Sequence, residues 1–408
     1  METVSPFDRA RAMSSARALA REAGFVLIGV CAAIAVYVVI RMYQRRSLRS
    51  FGDADLFLAD GRPMTTQLHV VGTVGTCRTV FLVDTGFSGP LVVNEAVLAA
   101  AADHGPGWNA LPYRDIAARL DGEQRDVSTR EAHDLVARYG MRIDGAYKRT
   151  LQALSGVETR EVLEGAAALS VGGSDAQDVT IVTDFVPHTG CIMTIDLLVR
   201  MRPVVLDFGA ARFRTAAPVP PDAWAPRQDF DDVVFLTLRV GGRACRLIMD
   251  TGYGGCIALN RDTARAIQSA QPCAVTDDTI TQFDVHDNEV CASVMRLPCE
   301  LLTEGGDAVP LGGDLPVYAN ATSVDGDGLL GLELLRRLSF LVIDASALRT
   351  PRVLLGPPRD LDWCDAHGAV GELSATRCRS APLQRGKQCP TVAPACSVGG
   401  ALRTSRGS

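Results

Sequence analysis

Three things are scarce in this chain, and each scarcity closes a class of function. A formal net charge of −6, with 22% charged residues, leaves no broad basic field of the kind nucleic-acid binding requires. The 12 cysteines include no CxxC pair, and the six histidines include no HxxxH pair, so neither a zinc site nor any other metal site is expected. Nor is there a GxSxG elbow: Ser88, within GFSG, reads as a turn residue. Aromatics are few, at 6%, while glycine, valine and leucine crowd near turn signals, a composition that suits strands better than a helical bundle.

What is present begins with an uncharged apolar run, residues 23–40 (AGFVLIGVCAAIAVYVVI), just long enough to span hydrocarbon as one helix. No small-x-small cleavage site precedes the cluster Arg41, Arg45, Arg46 and Arg49, so a retained single-pass anchor is expected rather than a signal peptide. Arg9, Arg11, Arg17 and Arg21 balance the arginines that follow it, and the positive-inside rule leaves the orientation open. Asn320-Ala321-Thr322 is a glycosylation tripeptide and favours a lumenal or extracellular body.

The expected organisation is a tail at 1–22, the membrane helix at 23–40, a stalk at 41–60, a first lobe at 61–216, a Pro-rich connector at 217–228, a second lobe at 229–356 and a disordered Cys/Pro-rich tail at 357–408. The division rests on an internal repeat. Residues 75–93 (GTCRTVFLVDTGFSGPLVV) resemble 242–259 (GRACRLIMDTGYGGCIAL), and residues 191–207 (CIMTIDLLVRMRPVVLD) align without a gap on 328–344 (GLLGLELLRRLSFLVID). Each half thus predicts a hairpin, an Asp-Thr-Gly turn, an apolar turn, a short helix and an apolar strand. In the first hairpin the turn is expected within residues 71–75 (VGTVG).

One Asp-Thr-Gly is an ordinary turn sequence. Two copies, each closing a buried apolar strand, place two carboxyl groups at the rim of a core, where desolvation is costly unless a shared proton relieves it. If the halves pack about a twofold axis, Asp84 and Asp250 face each other and titrate as a pair holding one proton. Such a pair suits peptide hydrolysis, the ionised carboxylate activating a water and the protonated one donating to the carbonyl oxygen. Thr85 and Thr251 would supply hydroxyls to a network crossing between the halves, and Gly86 and Gly252 would let backbone N–H groups approach the carboxylates.

With these motifs and the Leu329-Leu330-Gly331 turn, the chain resembles the retropepsin-like and pepsin-like aspartic proteases over residues 61–356. DTGFSG and DTGYGG, with an aromatic after the glycine, are more similar to cellular and microbial retropepsin-like proteins than to pepsin. The resemblance implies two mainly β, barrel-like lobes in tandem, a catalytic pair at Asp84 and Asp250, an extended polypeptide substrate, no cofactor, and flap hairpins near Gly156 and His286 to Asn288. One chain carries both aspartates, so no obligate dimer is needed to complete the site.

Two features of the first half depart from that pattern. Thr194 stands where the second half has Gly331, and its extra bulk is expected to displace Asp84. Residues 95–149, including REAHDLVAR at 130–138, read as a partly helical insertion covering or reshaping the cleft. A membrane-tethered, catalytically inactive peptide-binding relative is the alternative these departures support. His133, Glu161 to Glu164 and Asp229 to Asp232 read as solvated faces or strand-entry turns, and His286 as a hairpin tip.

Overall fold

A computed structural model of the chain describes residues 53–57, 67–120, 125, 127–153, 156–186, 189–201, 203–271, 275–283, 289–319, 324–344 and 351–359. The apolar run 23–40, the glycosylation tripeptide, His286 to Asn288 and residues 360–408 lie outside them. Among the described residues no helix is long and apolar enough to cross a membrane.

Among the described residues the architecture is mainly β, with one sheet of twelve strands and one of eight. In the first half, His69–Val74 and Cys77–Asp84 form a hairpin closed by the pair Val74 and Cys77. Its turn is Gly75-Thr76, with Gly75 at φ 55°, a conformation that suits glycine. The expected turn at 71–75 is therefore corrected. Val71, Gly72 and Thr73 continue the strand because Val70 and Val74 alternate inward while Gly72 to Val74 pair with Gly156–Val171 across the sheet. Cys77–Asp84 then runs parallel to Cys191–Thr194, which pairs antiparallel with Leu91–Asn94.

The second half repeats these pairings. Val233–Val240 and Arg243–Met249 form the hairpin, Arg243–Met249 runs parallel to Gly328–Leu330, and Gly328–Leu330 pairs antiparallel with Ile257–Leu259. Long hairpins flank both centres, Arg142–Ala153 with Gly156–Val171 and Val275–Phe283 with Glu289–Leu302. Gly156 opens the returning strand of the first.

The halves are joined by backbone as well as by side chains. Val204–Asp207 pairs antiparallel with Phe340–Asp344, with Val205 opposite Val342 and Leu206 opposite Leu341. The connector does not hang free: Ala217, Ala223 and Ala225 pack against Val205, Phe340, Val342 and Leu354, and Trp224 Nε1 donates to the Gly356 carbonyl at 3.1 Å.

The helical segment sits elsewhere than expected. Helices Glu95–His104, Tyr113–Leu120 and Thr129–Arg138 do form, but Arg142 onward is strand, so the helical part ends at Arg138. It packs on the far end of the Cys77–Asp84 strand. Trp108 Nε1 donates to the Arg78 carbonyl at 2.8 Å, and the Arg78 guanidinium lies 3.7 Å from the centre of the Tyr113 ring. Arg78 precedes Asp84 by six residues, about 20 Å of strand, so these helices pack at the turn end of the hairpin, away from the carboxylates.

Candidate active site

Both Asp-Thr-Gly turns are delivered by strands whose last residues before the aspartate are buried. In Cys77–Asp84 only Arg78 and Asp84 keep partial exposure, and Leu247, Ile248 and Met249 lead into Asp250 from a dry interior. The parallel neighbour fixes the position of each aspartate: Asp84 lies opposite Thr194, and the Asp250 N–H donates to the Leu330 carbonyl at 2.9 Å.

The two turns meet. A Cβ placed on Gly86 would lie 2.5 Å from Asp250 Cγ, and one on Gly252 would lie 2.4 Å from Asp84 Oδ2. Each glycine is thus the space into which the opposite carboxylate fits. Gly86 N–H donates to Asp84 Oδ1 at 2.9 Å; Gly252 and Tyr253 N–H groups donate to Asp250 Oδ1 at 2.8 and 3.0 Å.

Behind the carboxylates the buried threonines cross between the halves. Thr85 N–H donates to Thr251 Oγ1 and Thr251 N–H donates to Thr85 Oγ1, both at 3.1 Å. The hydroxyls in turn donate to carbonyls of the opposite strand, Thr85 Oγ1 to Met249 at 2.7 Å and Thr251 Oγ1 to Val83 at 2.6 Å. Four bonds therefore satisfy every polar atom that the crossing buries on the two hydroxyls and two amides.

Electrostatics follow from this enclosure. Burial first, and then the Asp250 charge and the hydrogen bond between the carboxyls, push Asp84 well above the ordinary carboxylate range, against the pull of the Gly86 and Phe87 amides. Burial also raises Asp250, opposed by the Tyr253 amide, the Asp84 hydrogen bond and the Gly252 amide. Two carboxyls this close cannot both ionise cheaply, and the pair holds one proton between them. Both retain some solvent-facing surface, so water reaches them.

The expected displacement of Asp84 by Thr194 does not occur: Gly86 N–H reaches Asp84 Oδ1 at 2.9 Å, as Gly252 N–H reaches Asp250 Oδ1 at 2.8 Å. The reason lies in how the two loops are hung. In the second half Glu333 N–H donates to the Gly255 carbonyl at 3.2 Å, and a Cβ on Gly331 would lie 2.1 Å from that oxygen. In the first half the Thr194 hydroxyl donates to the equivalent Gly89 carbonyl and accepts from Leu197 N–H, capping the helix Ile195–Arg200. A side-chain hydroxyl thus replaces a backbone amide, and the loop accommodates the larger residue.

All six residues singled out from the sequence, Asp84, Thr85, Gly86, Asp250, Thr251 and Gly252, are brought into this one cluster. The others are placed as surface. His133, Glu161 and Glu164 are exposed, Asp229 pairs with Arg246 at 2.8 Å, and Asp232 occupies a turn at φ 59°. Among the described residues no group of three His, Cys, Asp or Glu side chains is placed to hold a metal ion.

Sequence reasoning missed two residues at the rim. Asp196 Oδ2 accepts the Gly89 N–H at 3.0 Å, steadying the loop after Asp84. Arg149, from the long hairpin, donates from Nη2 to the Ser88 carbonyl at 2.6 Å, with its guanidinium 4.6 Å from the centre of the Phe87 ring. Asp196 was findable as the first-turn acid of the helix after the apolar turn, opposite Glu333 in the repeat. Arg149 was not, because a single cation in an alternating strand carries no signal.

No family model matches the chain, and no curated protein matches it. Among solved structures it is similar to basic 7S globulin from soybean, at 10% identity and a TM-score of 0.42 over 75% of this chain and 96% of that one. It is also similar to a retropepsin-like aspartic protease from Rickettsia conorii (16% identity, TM-score 0.23, 33% of this chain and 89% of that one) and to edgp (10%, 0.36, 77% and 95%). The chemistry of the site rests on its own geometry.

Proposed function

We propose that the chain is an aspartic endopeptidase built from two retropepsin-like lobes, 61–216 and 229–356, and held at a membrane by the apolar run 23–40. The observation that carries this reading is the mutual fit of Asp84 against Gly252 and Asp250 against Gly86, with Thr85 and Thr251 locking the two turns together.

A water held between the carboxyls loses a proton to the ionised member as its oxygen bonds to the peptide carbonyl carbon, while the protonated member gives its proton to the carbonyl oxygen. The resulting gem-diol collapses as the protonated carboxyl gives its proton to the amide nitrogen, the C–N bond breaks and a gem-diol hydroxyl gives its proton to the other carboxylate, so the pair again holds one proton. No atom of the protein is covalently altered. The rigid threonine crossing supports this chemistry because it holds both carboxyls in place without reorganisation.

The test is cleavage of a random peptide library by the full-length chain in mild detergent from acidic to neutral pH, beside Asp84→Asn and Asp250→Asn. Cleavage abolished by either substitution supports the shared pair. Folded protein that cleaves nothing at any pH overturns the enzymatic reading in favour of a peptide-binding protein.

A further inference from the structure

Arg149 is oddly provided for. Its guanidinium offers five N–H donors. Nη2 has the Ser88 carbonyl and the ring face has Phe87, yet Nη1 is buried and has no hydrogen-bond partner among the described residues. No carboxylate among them forms an ion pair with it. Tyr147, Asp184 and Asp196 act on it only through space, and burial holds the guanidinium below its usual range. A cation left this short of partners is costly unless something else completes it.

Its location says what would. Phe87 directly follows Gly86, and its N–H takes part in the hydrogen bonding of Asp84. Its ring packs beside Leu82, Val92, Val182, Val186 and Ile192, an aliphatic wall with no charge of its own. Arg149 reaches this wall from the hairpin strand Arg142–Ala153, so it stands where hairpin and catalytic turn meet. In the second half the corresponding loop carries Tyr253, whose hydroxyl turns back toward Gly255.

We propose that Arg149 selects an acidic side chain in the substrate residue seated against Phe87. This rests on the proteolytic reading above and adds its specificity. A carboxylate matches the planar fork of guanidinium and supplies the direct ion pair that Arg149 lacks among the described residues. Arg149 as a residue is only partly buried, so a carboxylate that displaces the cover over Nη1 meets a cation with no ion-pair partner among the described residues. A neutral or basic side chain leaves the cation unpaired, and discrimination follows from that penalty as much as from the attraction.

The experiment compares paired peptides differing only by Glu against Gln at each position around the scissile bond, using full-length wild type, Arg149→Met and Arg149→Glu. At one position wild type favours Glu in kcat/KM by about ten- to hundredfold, as a charged hydrogen bond implies. Arg149→Met brings that ratio near one, and Arg149→Glu makes Lys preferred over Glu there. A wild-type ratio near one at every position, or a preference that persists in Arg149→Met, overturns the proposal. If wild type cleaves nothing, the same peptides are titrated against it by fluorescence anisotropy. Tighter binding of the Glu peptide that is lost in Arg149→Met upholds the role of Arg149 while the proteolytic reading fails; equal binding of Glu and Gln peptides overturns both.

Discussion

Gly252 and Asp84 stand so close that a single methyl on the glycine would overlap the aspartate oxygen at 2.4 Å, and Gly86 stands in the same relation to Asp250. Gly252→Ala and Gly86→Ala are therefore expected to fold but to push the facing carboxylate aside by about an ångström. Rate falls by about a hundredfold for a misplacement of that size. Steady-state kinetics beside circular dichroism checks this, and an active alanine variant would contradict the facing geometry.

Asp84→Asn and Asp250→Asn trade activity for stability. Loss of one acid–base partner costs roughly 10²- to 10⁴-fold in kcat. Both carboxyls titrate above their unfolded values, so the stability they contribute is fully present below about pH 4 and is lost as pH rises through the raised folded values. An asparagine carries no charge to bury. Each variant is thus expected to melt higher than wild type at neutral pH, with the difference vanishing in acid, as scanning calorimetry at the two pH values would read.

Thr85→Val or Thr251→Val keeps the shape and removes a hydroxyl that both donates and accepts across the halves. The opposite amide and carbonyl are left buried without partners, at about 1–3 kcal/mol for each orphaned group. Denaturant unfolding should show a loss of about 2–6 kcal/mol for the two groups together, and activity should fall with it because the carboxyls lose their common support.

His69 pairs with Phe57 and Leu82 inside the sheet and is 2% exposed. Burial lowers its pKa from 6.5 to about 4. The folded state holds the neutral ring, so its contribution is present above pH 6.5 and is lost as pH falls towards 4. By linkage the loss is about 3 kcal/mol, from roughly 2.5 units at 1.36 kcal/mol each. His69→Leu should flatten the acid side of the stability profile; an unchanged slope would refute the assignment.

Thr194 and Gly331 occupy equivalent places but do not tolerate the same changes. Gly331→Ala would meet the Gly255 carbonyl at 2.1 Å and the Tyr253 ring at 2.5 Å, so it should destabilise the fold and displace Asp250. Thr194→Gly meets nothing and loses the helix cap and the tie to Gly89, about 1 kcal/mol by the usual cost of a cap. Thermal melts of the two variants should differ clearly in that order.

The sequence exposed the site because the site is made twice. Asp84-Thr85-Gly86 and Asp250-Thr251-Gly252 each end a run of buried residues, and the repeat 191–207 against 328–344 marks the strands that carry the joining pair. What stayed hidden depends on pairing across the sheet. Val71 to Thr73 look like turn residues until Gly156–Val171 is laid beside them, and the helices 95–138 reveal their resting place only through the bond from Trp108 to Arg78. Thr194 looked like a defect because a hydroxyl's ability to stand in for a peptide amide leaves no trace in residue type. Arg149 joins the rim only through its hairpin.

The strand Phe340–Asp344 closes against Val204–Asp207 from the last part of the described chain. During synthesis the first hairpins can form as they emerge, but Asp84 has no facing carboxyl until Asp250 is made, and the halves have no shared sheet until residue 344 has left the ribosome. The order of the sequence therefore works as a timer: a nascent chain carries Asp84 alone from residue 84 to residue 250, and the pair gains its shared sheet only once residue 344 has emerged.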